Sequence, residues 1–318
     1  MDTAQAIRPQ LKKQETIINR HLRRLQRIHF AIFDIIPFLC FLLVIGLQWW
    51  YPINGLQIGL VLGMWFLTGG AISVGFHRYF SHRGFKTGKF MSSLFIIFGS
   101  MAAQGPMISW ASIHRRHHEK SDLDGDPHSP NQHGQHVWGR IRGLWHAHFS
   151  WMINHEYPNP AHYVPDLLKN KSVAKHNRQY LLWVIIGLLL PTAIAALVTR
   201  SATGTLLGFL WGGPVRIFLV DHIIWSVNSV CHMFGTAPFN TQDLSRNNYW
   251  LAIPTMGESL QNNHHAFPNS PSIGLVWWQL DIGAMLIRGL AAVGLVWDLK
   301  LPSPSMIAAK RIAKPVPV

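Results

Sequence analysis

Apolar residues in this chain gather into long runs. The stretches 30–50, 53–76, 180–199 and 204–228 are almost unbroken apolar segments. A helix needs about 20 largely apolar residues to cross the hydrocarbon of a bilayer, so each is predicted to be a membrane-spanning helix. Only Tyr51-Pro52 separates the first two, and a short link near Arg200 separates the last two, so the spans pair into two hairpins. Asp34 interrupts the first run, and Arg216, Asp221 and His222 interrupt the fourth. Ionisable groups at membrane depth are costly and normally face a bundle interior or a polar cavity. The stretch 90–103 is apolar but short for a span, and is expected at the membrane interface. The segment 273–297 is apolar with Asp281 and Arg288 at helical offsets, and reads as an amphipathic helix packed under the bundle.

Between the hairpins lies 77–179, rich in His, Asp, Asn and Gln. The predicted fold is an all-α membrane protein: four transmembrane helices in two hairpins beneath a helical cap that holds a histidine-rich di-metal site. Three parts are expected: a basic N-terminal segment 1–29, a main domain 30–300 and a loose, proline-containing tail 301–318. The first apolar run is too long for a secretory signal and lacks its small-residue cleavage site.

Charge orients this arrangement. The 28 Lys and Arg exceed the 14 Asp and Glu, a net charge of +14, yet only 13% of residues are charged while 48% are hydrophobic. Soluble domains carry about 25% charged residues, so an ordinary soluble enzyme is disfavoured, and the hydrophobicity excludes disorder. Seven basic residues (Arg8, Lys12, Lys13, Arg20, Arg23, Arg24, Arg27) precede the first run, and thirteen lie in 77–179. The link at Tyr51-Pro52 has none and the second link has only Arg200. The excess of Lys and Arg on one side predicts cytoplasmic termini and a cytoplasmic central segment. Nucleic acid is not expected as a partner, because the basic residues flank apolar runs instead of clustering on a soluble module. Two cysteines, Cys40 and Cys231, leave no room for a disulfide framework or a thiolate-rich metal site.

The 19 histidines outnumber the acidic residues. Four groups stand out: His77 with His82; His114, His117 and His118; Asn228 with His232; and Gln261, His264 and His265. Residues three and four apart share a helix face, so the second and fourth groups can each aim several side chains at one place. His77 and His82 are five apart and require a helix end or an unwound turn. All four groups follow or lie between spans on the same predicted side. A lone histidine is usually an ordinary hydrogen-bonded residue, and His21, His29, His155, His162 and His176 are read so. Eight grouped imidazoles suit Zn, Cu, Fe or Ni, are too many for one tetrahedral zinc, and suit two ions. Glu119, Asp122, Asp124, Asp126 and Glu258 lie beside the groups. They are expected both to accept the second N–H of ligand histidines and to balance Arg115, Arg116 and Lys120.

At this point the chain resembles the membrane-bound fatty acid desaturases, specifically the acyl-CoA (stearoyl-CoA) delta-9 type and its bacterial relatives. The resemblance runs from about Phe30 to Lys300. It rests on Gly75-Phe-His-Arg-Tyr-Phe-Ser-His82, His114-Arg-Arg-His-His-Glu-Lys-Ser-Asp-Leu-Asp-Gly-Asp-Pro-His128, Val227-Asn-Ser-Val-Cys-His232 and Gly257-Glu-Ser-Leu-Gln-Asn-Asn-His-His-Ala-Phe-Pro268, with Gly294-Leu-Val-Trp-Asp-Leu-Lys300 as a closing stretch. It implies a di-iron centre that uses O2 and two external electrons to introduce a cis double bond, at delta-9, into a saturated acyl chain. By position, the iron ligands would be His77, His82, His114, His117, His118, His232, His264 and His265. Asn228 would reach a metal through water, Asp124, Asp126, Glu258 and His128 would support ligands, and Trp110 would line the acyl tunnel. The resemblance also implies an integral protein of a bacterial inner membrane with a cytoplasmic active site. Its partners would be membrane lipids, a fatty acyl substrate (acyl-CoA or acyl-lipid), and a separate electron donor such as ferredoxin with its reductase.

Two departures bear on this. The fourth group begins with Gln261 where the family normally has His. Ser112 and Ile113 replace the Arg and Asp that precede the second group in the animal enzymes, where CoA binds, which opens the carrier to a phospholipid or carrier protein. A membrane metal transporter would instead place ligands inside the spans, where only His222 lies. A lipid hydroxylase or ketolase uses other spacings, and the Asp126-Pro-His128 extension and the Asn-Ser-Val-Cys-His string favour desaturation.

Overall fold

In the computed structural model, which describes residues 14–312, four helices are long and apolar enough to cross a membrane: Arg20–Trp49, Gly55–Ser81, Tyr180–Thr199 and Ala202–His232. Arg8, Lys12 and Lys13 of the basic segment, and 313–318 of the tail, lie outside the described residues. The four helices match the predicted runs, leaving out only Trp50, Ile53 and Asn54, and three extend beyond them. Span one begins ten residues early because Asn19 caps it, accepting hydrogen bonds from His21 N at 2.8 Å and Leu22 N at 3.3 Å. Its basic first turns, carrying Arg20, Arg23, Arg24 and Arg27, therefore continue directly into apolar helix. Span two opens on a capping box: Asn54 N donates to Gln57 Oε1 at 2.7 Å, and Gln57 N to Asn54 Oδ1 at 3.4 Å. Spans two and four run past their apolar stretches to carry His77 and His232 out to the cap.

Spans three and four approach closely through small residues. A Cβ on Gly208 would stand 2.0 Å from Ala195 Cβ, and one on Gly212 2.4 Å from Pro191 Cβ. Such contacts favour helix association where lipid tails offer no hydrophobic contrast. The outer faces expose Leu39, Leu43, Leu62, Phe66, Leu189 and Leu197, an apolar surface suited to lipid.

The short apolar stretch forms the helix Lys89–Ser100. It packs against the end of span two, with Phe95 over Gly75 and Phe76 over Gly99. The main core (Ile72, Phe76, Phe80, Ile96, Met107, Val220) lies there, directly beneath the histidines. The helix predicted over 273–297 is shorter than expected, Ile282–Ala292. Asp281 explains this: its carboxylate caps the helix by accepting from Ala284 N at 2.8 Å and also accepts from Ile273 N and Gly274 N at 2.7 and 2.9 Å, folding 273–281 into a loop. Two short antiparallel strand pairs, Thr16–Ile17 with Tyr157–Pro158 and Lys86–Thr87 with Val296–Trp297, tie the ends of the described chain to the cap.

Candidate metal centre

Local helix geometry sorts the histidines into two groups. The end of span two, Ala71–Ser81, is π-helical, and His82 N donates five residues back to His77 O at 3.1 Å. That widened turn brings His77 and His82 onto one face, ring centroids 4.8 Å apart; π-turns inside helices often mark functional sites. On the helix Met107–Lys120, successive residues rotate by about 100°. His114 and His118 thus lie only about 40° apart, while His117 turns about 100° away from His118. The neighbours His264 and His265 on Gln261–Ala266 diverge in the same way. The outcome is one cluster of His77, His82, His114, His118 and His264, and a second of His117, His232 and His265, each with ligand atoms within 4.8 Å of one another.

In the first cluster the Nε2 atoms face each other: His77 to His264 at 3.0 Å, His82 to His114 at 2.6 Å, and His264 to His118 at 2.9 Å. Nitrogens bound at right angles around a cation, at metal–nitrogen distances near 2.1 Å, stand about 3 Å apart. His77 Nδ1 lies 2.6 Å from Glu258 Oε2, which places the ring proton on Nδ1 and leaves Nε2 a lone pair. Glu258 is held in turn by Arg78 at 2.9 Å and Ser73, and Arg78 pairs with Asp281 at 2.8 Å.

The second cluster carries the stronger test of fit. His117 Nδ1 lies 3.0 Å from Asp126 Oδ1, His232 Nδ1 lies 2.9 Å from Asp122 Oδ2, and His265 Nδ1 is hydrogen-bonded to Asp243. Each carboxylate fixes a ring with its proton on Nδ1. The three Nε2 atoms that remain are buried without a hydrogen-bond partner. Orphaned buried acceptors are costly and rare. Three converging on one point, each backed by a carboxylate, are the donor set of a metal-ligating histidine site.

The electrostatics agree. Burial pushes the imidazoles of His82, His114, His118 and His264 well below the ordinary range, and neighbouring histidines add to it. Burial outweighs Asp243 at His265, lowering it to about 4. These rings are neutral at pH 7, as metal binding requires. His117 is raised, because Asp126 outweighs burial. Burial would raise the carboxylates, but their histidine partners and further hydrogen bonds hold Asp122, Asp126 and Asp243 well below the usual carboxylate range. Glu258 is brought down to about 2 by Arg78 and His77 against the same burial.

All eight histidines singled out in the sequence therefore meet in these two clusters. Asp126 contacts His117 and Glu258 contacts His77. Asp124 contacts neither: it is exposed and lies outside the set. Its expected place is taken by Asp122, whose left-handed backbone (φ 59°) turns its carboxylate under His232, where Ser129, Asn131 and Leu244 N also donate to it. Asp243 and Arg78 were missed. Asp243 lies in a loop 22 residues from His265, with no periodicity to reveal it; Arg78 adjoins His77, and that adjacency at a span end was the available signal. His128 is buried 4.5 Å from His117 and 3.7 Å from Asp126. His222, the one histidine inside a predicted apolar run, lies away from the centre and pairs with His148 at 2.8 Å.

A cavity of about 490 Å³ opens beside the first cluster. Trp110, Asn228, Gln261, His77 and His114 face it, and most of its wall is apolar. Trp110 stacks on His114 at 5.2 Å and 20°. Gln261 Oε1 is buried there with no partner. His29 and His155, read as ordinary, also line this cavity, hydrogen-bonded to Tyr180 and Gln26. A second cavity of about 480 Å³, sharing no lining residue with the first, reaches His82, His118 and His265 beside Arg115 and Lys310.

Comparisons with known proteins agree with this geometry. The family model for fatty acid desaturases matches residues 49–295. The chain is 53% identical to the hex-5-enoyl-[acyl-carrier protein] acetylenase of Moorena producens, over 95% of both chains. It is 36% identical to the sn-1 stearoyl-lipid 9-desaturase of Synechocystis sp., covering 80% of this chain and 74% of that one. It is 32% identical to the delta-9 acyl-lipid desaturase 1 of Arabidopsis thaliana, covering 92% and 90%.

Proposed function

The chain belongs to the fatty acid desaturase family, and from that premise we propose that it dehydrogenates two adjacent carbons of an acyl chain held in the 490 Å³ cavity. The observation that carries this reading is the pair of histidine clusters at one end of an apolar pocket. In the balanced reaction a –CH2–CH2– unit, O2, two electrons and two protons give –CH=CH– and two waters. Two iron ions bound by the clusters would supply the oxidising power for the C–H bonds, with O2 and the external electrons.

The chain's own residues do the rest. Asp122, Asp126, Asp243 and Glu258 hold four imidazoles, those of His232, His117, His265 and His77, in register by fixing ring orientation and tautomer. Trp110, stacked on His114, forms the wall against which the reacting carbons lie. Asn228 and Gln261 present amide groups at the edge of the first cluster, positions suited to holding a water near a metal. The apolar wall excludes bulk water from the reacting segment.

The carrier is read as acyl carrier protein or a lipid. Ser112 is fully buried and donates to Ile108 O at 2.7 Å, so it offers nothing to a CoA headgroup, while Ile113 faces the pocket. For a long saturated chain the double bond is placed at delta-9. A second reading, dehydrogenation of a terminal alkene to an alkyne, is favoured by the acetylenase at 53% identity. Electrons are read as coming from a separate donor such as ferredoxin with its reductase, drawn to the cap by its excess of Lys and Arg. The protein is placed in a bacterial inner membrane with its cap in the cytoplasm.

Gas chromatography of acyl chains from a host expressing the protein tests this. New unsaturation that requires O2 and is lost in His117→Ala and His264→Ala, with the protein present in the membrane, is expected. Hydroxylated or unaltered chains would overturn it.

A further inference from the structure

Residues 303–312 fold back onto the part of the cap that carries His265. Ser303 caps the short helix Pro304–Lys310, accepting from Met306 N at 3.2 Å. Past its end the main chain runs beside 238–240. Asn240 N donates to Lys310 O at 3.1 Å, Ile312 N donates to Pro238 O at 3.0 Å, and Arg311 bridges to Phe239 in antiparallel register. Ile307 packs against a small apolar cluster of Phe239, Ala266 and Phe267. Lys310 Nζ donates to Ala266 O at 2.6 Å and stands 5.1 Å over the Phe267 ring.

The two stretches gripped in this way carry the two halves of one hydrogen bond, His265 Nδ1 to Asp243. Ala266 follows His265 and ends the helix Gln261–Ala266, whose last carbonyls have no partner within the helix. The Lys310 ammonium satisfies one of them and complements the negative end of the helix. On the other side, the 238–240 stretch leads directly into the loop of Asp243. Asn262, on the helix of His265, ties that loop down: it accepts from Phe239 N at 2.8 Å and donates to Phe239 O and Thr241 Oγ1, each at 3.2 Å. Thr241 Oγ1 in turn donates to Asp243 O at 3.3 Å. His77, His82, His114 and His118 lie at the end of span two and on the helix Met107–Lys120, and among the described residues no hydrogen bond joins 303–312 to them.

Resting on the reading of the two clusters as metal sites, we propose that 303–312 is a strap that holds the cluster of His117, His232 and His265 in its binding geometry, with Ile307 and Lys310 as positioning residues. Neither contacts a ligand atom; both act through Ala266, Phe267 and the loop 238–243. A six-residue helix and an irregular loop have little stability of their own. Without the strap, the His265 ring and the Asp243 carboxylate are aligned for a smaller fraction of the time, and the apparent metal affinity falls in proportion to that fraction. The cluster of five imidazoles keeps four ligands on elements that the strap does not hold, so the effect is confined to one ion.

The test is iron per chain in the purified full-length protein after equilibration against a graded chelator. Lys310→Met keeps the apolar stem and removes the donor. One ion should then leave at a chelator concentration about two- to tenfold below that of the wild type, the worth of one hydrogen bond, and the other ion should be unmoved. Lys310→Arg, which keeps a donor, should restore the wild-type curve. A stop codon in place of Ser303 also removes Ile307 and the main-chain bonds, and should displace the same ion further. If neither Lys310→Met nor the truncation displaces an ion, or if both ions are displaced together, the strap is overturned. A wild type that binds no iron would overturn the metal-site reading and the strap with it. A single displaced ion in a protein that forms no unsaturated product would overturn the desaturase reading alone and leave the strap standing.

Discussion

Asp243 offers the sharpest test of the two-cluster centre, because its only described tie to the site runs through His265. Its carboxylate accepts from His265 Nδ1 and from Ser245, and it binds no other ligand. Replacing it by Asn keeps the volume and one acceptor oxygen but removes the charge. A hydrogen bond to a charged group contributes about 1.5–3 kcal/mol and a neutral one about 0.5–1.5, so His265 loses roughly 1–1.5 kcal/mol of its hold. That corresponds to about tenfold in metal affinity; Asp243→Ala, which frees the ring altogether, should reach the upper part of the 10–100-fold range seen for such partners. The loss falls on one cluster only. His265 belongs with His117 and His232, three imidazoles, whereas the other cluster has five. Iron per chain, measured after equilibration against a graded chelator, should therefore fall in two steps in Asp243→Asn. The early step should remove one ion at about a tenth of the wild-type chelator concentration, and the later step should be unmoved. Glu258→Gln should shift the other step, and Asp124→Asn, at an exposed position, neither. Both ions leaving together at one displaced midpoint, or no displacement, would refute the assignment of His265 to a separate site.

Metal-free protein should lose stability on acidification. His82, His114, His118, His264 and His265 have pKa values lowered by burial, so below about 6.5 the unfolded chain binds more protons than the folded one. Asp126, Asp243 and Glu258 act in the same direction at lower pH, and among the clustered groups the raised His117 opposes. The thermal midpoint of the apo form should fall steadily between about pH 6.5 and pH 4; a midpoint that rises over that window would refute the neutral, buried ligand set. Gly208→Ala puts a methyl 2.0 Å from Ala195 Cβ, and overpacking of this kind costs about 1–3 kcal/mol, read as a lower midpoint in detergent; an unchanged midpoint would mean that spans three and four are not locked there. Gln261→His supplies a ring where an amide oxygen is buried without a partner, so iron content and product formation should persist, and complete inactivation would show that the amide itself has a role.

What the chain displays in its sequence, and what it hides, divides along physical lines. Apolar runs and the histidine spacings are local properties, and the spans and eight clustered imidazoles lie where those patterns put them. The partition into two clusters is also local, although it needs the rotation per residue as well as the shared face: His117 leaves His114 and His118 because three steps and four steps around a helix point in different directions. The five-residue gap between His77 and His82 is resolved by a π-turn, which no apolar periodicity announces. The supporting carboxylates are a different matter. Asp126 is nine residues from its histidine, but Asp122 is 110 from His232 and Asp243 is 22 from His265. Their pairing is decided where loops return over the cap, so nearness in sequence left Asp122, Asp124 and Asp126 equal, and position in the resemblance favoured Asp124, which is exposed. The polar residues within the spans follow the same rule. Asp34 and Asp221 read singly as ionisable groups that face a bundle interior or a polar cavity; only the meeting of span one with span four brings them to the lining of one cavity.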